Sequence, residues 1–211
     1  SIALTLLGGL GDVDSAEPSF ALWDLGRMVA NSDELMSIFD AGLSDLEVRL
    51  RQSDVAQEFI EHFDNFLDVF GSRGPNEWET ACETWGTNSL SVLTLIDRMR
   101  LTDAQNSPKV RALELSKKRE EATFNARKEL KGFGSWLFEK ALHSSVLFSQ
   151  ARERSKTTIV DLIHVARLIT RELANRTAEQ RKNAELIDLW FILESELDEF
   201  IDNPPSFDEK I

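Results

Sequence analysis

The residues best equipped for chemistry in this 211-residue chain are cations on a late helical segment. At about 100° per residue, Arg152, Lys156, Ile163 and Arg167 fall within an arc of roughly 60°, one narrow helical stripe. Arg152 and Lys156 stand one turn apart, and such like-charged neighbours cost about 0.2–0.5 kcal/mol unless something neutralises them. The carboxylates of Glu77 or Glu79, or an anionic ligand, would serve. A solvated face, or ion pairs at the rim of the core, is the plain alternative.

A second cluster lies in Gly71-Ser-Arg-Gly-Pro-Asn-Glu-Trp-Glu79, which packs Arg73, Glu77 and Glu79 into a glycine- and proline-shaped turn beside Trp78. Loops that hold charged groups at fixed angles build binding sites, although a simple connection has the same composition. The run Gly8-Gly-Leu-Gly-Asp12 can bring backbone N–H groups close to an anion. It lacks the Lys-Ser/Thr and the strand-to-helix setting of a phosphate loop, so a structural turn is the simpler reading. His62, His143 and His164 have no metal-ligand spacing, and no Gly-x-Ser-x-Gly elbow occurs. No catalytic residue, metal site or cofactor is therefore assigned to the chain itself.

Helices must position these groups. Val55, Phe59, Ile60, Phe63, Phe66, Leu67 and Phe70 recur as one apolar stripe that Gly71 ends. Leu35, Ile38, Phe39, Leu43, Leu46 and Leu50 form another, with Ser32 placed to cap it. Ser107-Pro108 is a cap followed by an N1 proline, opening a charged, weakly apolar helix to about Lys131 that covers the body thinly or projects from it. Gly132 and Gly134 break it, and Ser135 starts a helix running to about Asn175, with Ile159, Leu162, Ile163, Ala166, Ile169 and Leu173 as its buried face. Leu189 to Leu193 reads as a short extended piece, and Asn203-Pro204-Pro205 as the start of an exit linker. The expected fold is all-α, an irregular bundle of mostly antiparallel helices forming a single domain over residues 1–211.

The formal charge of −13 argues against a nucleic acid or an anionic membrane surface as partner, since both demand a basic face. Cys82 is the only cysteine, which fits a reducing, cytoplasmic setting, and no apolar run approaches the length of a membrane span. The chain begins abruptly in apolar sequence without Met, as expected of a segment inside a longer polypeptide.

Four motifs in order carry a family resemblance. Gly8-Gly-Leu-Gly-Asp-Val-Asp-Ser-Ala-Glu-Pro18 with Ala21-Leu-Trp-Asp-Leu25 comes first, then Phe66-Leu-Asp-Val-Phe-Gly-Ser-Arg-Gly-Pro-Asn-Glu-Trp-Glu79. Ala151-Arg-Glu-Arg-Ser-Lys156 with Arg167 downstream follows, and Asp188-Leu-Trp-Phe-Ile192 with Ser195-Glu-Leu197 closes the series. Together they resemble the helical middle region of phosphoenolpyruvate synthase and pyruvate phosphate dikinase-like enzymes, rifampin phosphotransferases among them. Ser72 and Asn76 stand where relatives often carry other residues, and Leu193 replaces a usual threonine cap.

The resemblance implies a substrate-binding domain between an ATP-grasp domain and a swivelling phosphohistidine domain. ATP and Mg²⁺ would belong to the parent enzyme, and the partners would be those flanking domains and a small-molecule acceptor. By the same resemblance Arg152 and Lys156 face the phosphohistidine and the transferred group, and Arg167 extends the stripe. Arg73, Glu77 and Glu79 complete the implied substrate and phosphoryl-binding set. The competing expectation is a non-catalytic helical interaction module whose cations dock on an acidic partner. None of the three histidines lies in a glycine-rich phosphocarrier motif. Incubation of the chain with labelled ATP should therefore leave no phosphate on the protein, and stoichiometric label on any histidine would contradict that expectation.

Overall fold

The computed structural model describes residues 5–10, 16–178, 180–181, 189–190 and 192–207. Glu17–Ala30 (α1) carries Pro18 in its first turn, where the missing N–H has no helical partner to lose. Asp33–Asp40 (α2) is capped by Ser32, whose hydroxyl accepts from the Leu35 N–H at 3.2 Å. The stripe from Leu35 to Leu50 is not one helix: the chain turns after Asp40 and resumes at Leu46–Arg51 (α3). The Arg49 guanidinium stabilises the break by donating to the Gly42 and Ser44 carbonyls and, at 3.3 Å, to that of Ile38.

Gln57–Phe70 (α4) follows a 3₁₀ turn, Asp54–Ala56, that shifts the phase of the stripe. Ala56 therefore faces inward while Val55 is exposed. Ser89–Arg100 (α5) starts at Asn88, whose side chain accepts from the Ser91 N–H at 3.4 Å. At its other end the Arg27 guanidinium donates to the Met99 and Arg100 carbonyls at 2.5 and 2.8 Å, satisfying acceptors that a helix end leaves open. Pro108–Glu129 (α6) is capped by Ser107 and buries no residue, as its charge pattern predicts. Phe133–Ala178 (α7) runs 46 residues and begins two residues earlier than Ser135. Leu197–Asp202 (α8) lies between two 3₁₀ turns, Glu194–Glu196 and Pro204–Phe207. Eight α-helices and no strand occur among the described residues, so the fold is all-α. No helix among these residues is long and apolar enough to cross a membrane.

The chain divides into two compact units. Ser1–Gly71 with Trp85–Thr158 forms the first, and Ser72–Thr84 with Ile159–Ile211 the second. The first has the large core: Leu22, Leu25 and Val29 from α1, Leu35 and Phe39 from α2, Leu46 and Leu50 from α3, four α4 residues, and Val92, Leu93 and Ile96 from α5. Phe39 meets Phe59 edge-on at 5.8 Å between ring centres, and Phe59 stacks on Phe63 at 6.1 Å.

The second unit has a small apolar cluster of Ala174, Leu189 and Phe200 with Leu173 and Ile192 against it. Its stretch of α7 does not bury the expected face. Ile159, Leu162, Ala166 and Ile169 are exposed, while Val160, Arg167, Ala174 and Thr177 are buried. At Arg167 the 77–79 segment presents backbone carbonyls, which need donors, so a polar side chain is the one that packs there. Leu189 and Trp190 form a 3₁₀ turn rather than an extended piece; Leu186, Asp188 and Phe191 lie outside the described residues. Pro204 is buried and opens a 3₁₀ turn instead of an exit linker. At Leu193, which has no side-chain acceptor, half of a capping box survives: the Glu196 carboxylate still accepts from the Leu193 N–H at 3.1 Å.

Because Phe63 is fully buried in the α4 stripe, Phe63→Ala should lower unfolding stability by about 3–5 kcal/mol. Val55→Ala, on the exposed side of the same run, should stay within about 0.5 kcal/mol. Urea unfolding of the two variants checks the difference.

Candidate functional site

The charged turn is pinched at its base by two glycines. The Gly86 N–H donates to the Gly71 carbonyl at 2.8 Å, and a Cβ on Gly71 would lie 2.3 Å from the Leu67 carbonyl oxygen. No other residue fits there without moving backbone. Within the turn Asn76 takes a left-handed conformation (φ 57°), which asparagine tolerates better than most side chains. The Arg73 guanidinium pairs with the Glu77 carboxylate at 3.2 Å, both side chains largely shielded from water at 9% and 12% exposure. Glu79 turns its carboxylate back on its own loop, accepting from the Ala81 N–H at 3.2 Å.

Arg167 holds this turn from α7. Its side chain is fully buried, and Nη2 donates to the Glu77 and Glu79 backbone carbonyls at 3.0 and 2.9 Å. Nη1 lies 3.1 Å from His164 Nδ1. A guanidinium has only donors, so Nδ1 must accept and the imidazole is neutral, with its proton on Nε2. The buried Thr84 hydroxyl sits 3.3 Å from the same Nδ1. Burial, and then the neighbouring Arg167 charge, push the His164 pKa below its ordinary 6.5. Burial, and then Arg171, also lower that of Arg167, against the favourable Cys82 and Glu79. The guanidinium nevertheless stays protonated.

In the first unit, an apolar cavity of about 640 Å³ is lined by Leu7, Leu10, Ala112, Leu115 and Phe148, with Arg152 and Glu153 on its wall. The cavity is open to solvent, with Leu115 49% and Phe148 75% exposed. Gly9, at φ 59°, lets the 7–10 turn lie directly on α6; a Cβ there would come within 2.5 Å of the Ser116 nitrogen. The glycine run thus serves packing at Gly9, while Gly11 and Asp12 lie outside the described residues. Arg152 is 80% exposed and takes its counter-charge from the adjacent Glu153 at 2.6 Å, within its own helix. Lys156, one turn further, is half-buried.

The sequence-derived set therefore falls into two groups. Arg73, Glu77, Glu79 and Arg167 come together in the second unit, whereas Arg152 and Lys156 belong to the first. His164 and Thr84 were not among the sequence candidates. The signal for His164 was its place three residues before Arg167, on nearly the same helical face. His62 and His143 are exposed, and no group of three His, Cys, Asp or Glu among the described residues could hold a metal ion.

The family model for the fourth domain of rifampicin phosphotransferase matches residues 1–153. The chain belongs to this family. A search of curated proteins finds no match. The stretch matched by the rifampicin phosphotransferase fourth domain includes the cavity-lining residues, Arg152 and the whole charged turn, and it stops before Lys156, His164 and Arg167. Membership agrees with the resemblance to phosphoenolpyruvate synthase-like enzymes carried by the sequence motifs.

Arg167→Met keeps most of the side-chain volume but removes the donor to the Glu77 and Glu79 carbonyls. It should cost roughly 1.5–3 kcal/mol, the usual worth of a hydrogen bond to a charged group. It should also open the Arg73–Gly74 bond to trypsin. Urea unfolding and limited proteolysis against the parent chain provide the check.

Proposed function

We propose that this chain is the acceptor-binding, non-catalytic helical part of an ATP-dependent phosphotransferase that works through a phosphohistidine relay. The observation that carries the reading is the apolar cavity with Arg152 on its wall, inside the stretch that matches the rifampicin phosphotransferase fourth domain. An apolar acceptor seated against Leu115 and Phe148 would bring its phosphorylatable group towards Arg152, with Lys156 one turn away. Cations so placed act on the charge of the passing phosphoryl oxygens, which is where a protein contributes most to such transfers. ATP and Mg²⁺ would be handled by flanking ATP-grasp and phosphohistidine domains, and the parent enzyme would work in the cytoplasm on a small-molecule acceptor, with no role for nucleic acid or membrane.

A second reading, a helical interaction module, draws on the apolar side chains left open on α7. Phe133 and Trp136 stack at 5.6 Å between ring centres while remaining 74% and 56% exposed, and Leu137 and Leu147 are also open. The two readings separate on one experiment in the full phosphotransferase. Arg152→Ala should slow single-turnover transfer about a hundredfold, the usual effect of deleting one donor to transition-state charge. Its thermal stability should change by no more than about 0.5 kcal/mol, because the side chain is exposed. Lys156→Ala should also slow transfer. Wild-type rates in both variants would favour the interaction module.

A further inference from the structure

We infer that His164 is a positioning residue: in its neutral form it locks Arg167 onto the 77–79 turn, and protonating it releases that turn. The lock is a property of the second unit alone. Only its relevance to substrate handling, through Arg73 and Glu77, rests on the proposed function.

The geometry allows one protonation state. Nη1 of a fully buried guanidinium points at Nδ1 from 3.1 Å, and among the described residues the lone pair there is the acceptor this N–H has. A second proton on the imidazole must go to Nδ1. That removes the acceptor, sets two N–H groups against each other and places two cations in contact away from water. Either the imidazole or the guanidinium then has to move. Arg167 cannot move without withdrawing Nη2 from the Glu77 and Glu79 carbonyls, which together fix the turn.

The charges around the imidazole favour the same response. On its own helix Arg167 and Arg171 oppose a proton and Asp161 favours one. From the facing 72–84 segment come the Thr84 hydroxyl and the carbonyls of Glu77 and Glu79, and Cys82 and Glu79 act on Arg167. Burial adds to the two arginines, so the folded protein binds this proton more weakly than the unfolded chain does. The sign of the linkage follows. Well above pH 6.5 both states are neutral at His164 and stability is unaffected. Below it the unfolded chain takes up the proton first, so stability falls with pH until the folded imidazole is protonated too.

The experiment follows the three imidazoles and the turn amides of the 211-residue chain by NMR between pH 8 and pH 4.5, with His164→Asn as the central variant. Asparagine keeps an acceptor near the Nδ1 position but cannot titrate. The His164 resonance should shift at a lower pH than a free imidazole does. The amides of 77–84 should follow with the same midpoint. Their hydrogen exchange, relative to the intrinsic rate, should rise by roughly tenfold per pH unit through that window.

In His164→Asn the turn should hold its neutral-pH state throughout, whereas His164→Phe should exchange fast at every pH. A His164 titration that the turn amides ignore would overturn the lock, as would an unchanged pH response in His164→Asn. In the full phosphotransferase, the acid limb of the transfer rate should weaken in His164→Asn. Absence of any transfer at pH 8 would count against the proposed function and leave the NMR result to decide the lock.

Discussion

The second compact unit depends on one buried guanidinium. Its apolar cluster, built on Ala174, Leu189 and Phe200, is small, and the 72–84 segment brings backbone carbonyls to the helix instead of a hydrophobic face. Burying a cation is unfavourable by several kcal/mol in itself. Arg167 offsets this with two charge-assisted bonds to carbonyls, each worth about 1.5–3 kcal/mol, and a third to His164. Its Nε–H has no partner among the described residues, so the guanidinium is held on one side only. A joint of this kind is specific and brittle: move the 77–79 carbonyls and the buried cation loses the bonds that offset its burial.

Several elements were legible because they rest on local chemistry. Ser32 and Ser107-Pro108 start helices where side-chain caps and an N1 proline say they should, and the stripe ending at Phe70 is the buried face of α4. The family was legible from motifs. Less legible was anything decided by what comes to lie against a surface. Periodicity finds the apolar face of a helix, but burial goes to the face that a neighbour covers. On the later part of α7 the neighbour needs donors, so Arg167 is buried and Leu162 is 66% exposed. The cavity was hidden for the same reason: residues 7–10, 112–115 and 148–153 share no motif and meet only in three dimensions.

Arg152 and Arg167 show how far a shared stripe can mislead. Helical periodicity puts them on one stripe, yet the first is 80% exposed and the second fully buried. The difference decides what each can do. Among the described residues Arg152 is held by a surface pair with Glu153, worth at most about 1 kcal/mol, so an anion can take its guanidinium at little cost. Arg167 has no such freedom, because its donors are committed to the Glu77 and Glu79 carbonyls and to His164 Nδ1. A phosphoryl group arriving and leaving in each turnover would need a cation of the first kind. A turn that keeps Arg73 and Glu77 at a fixed angle needs one of the second.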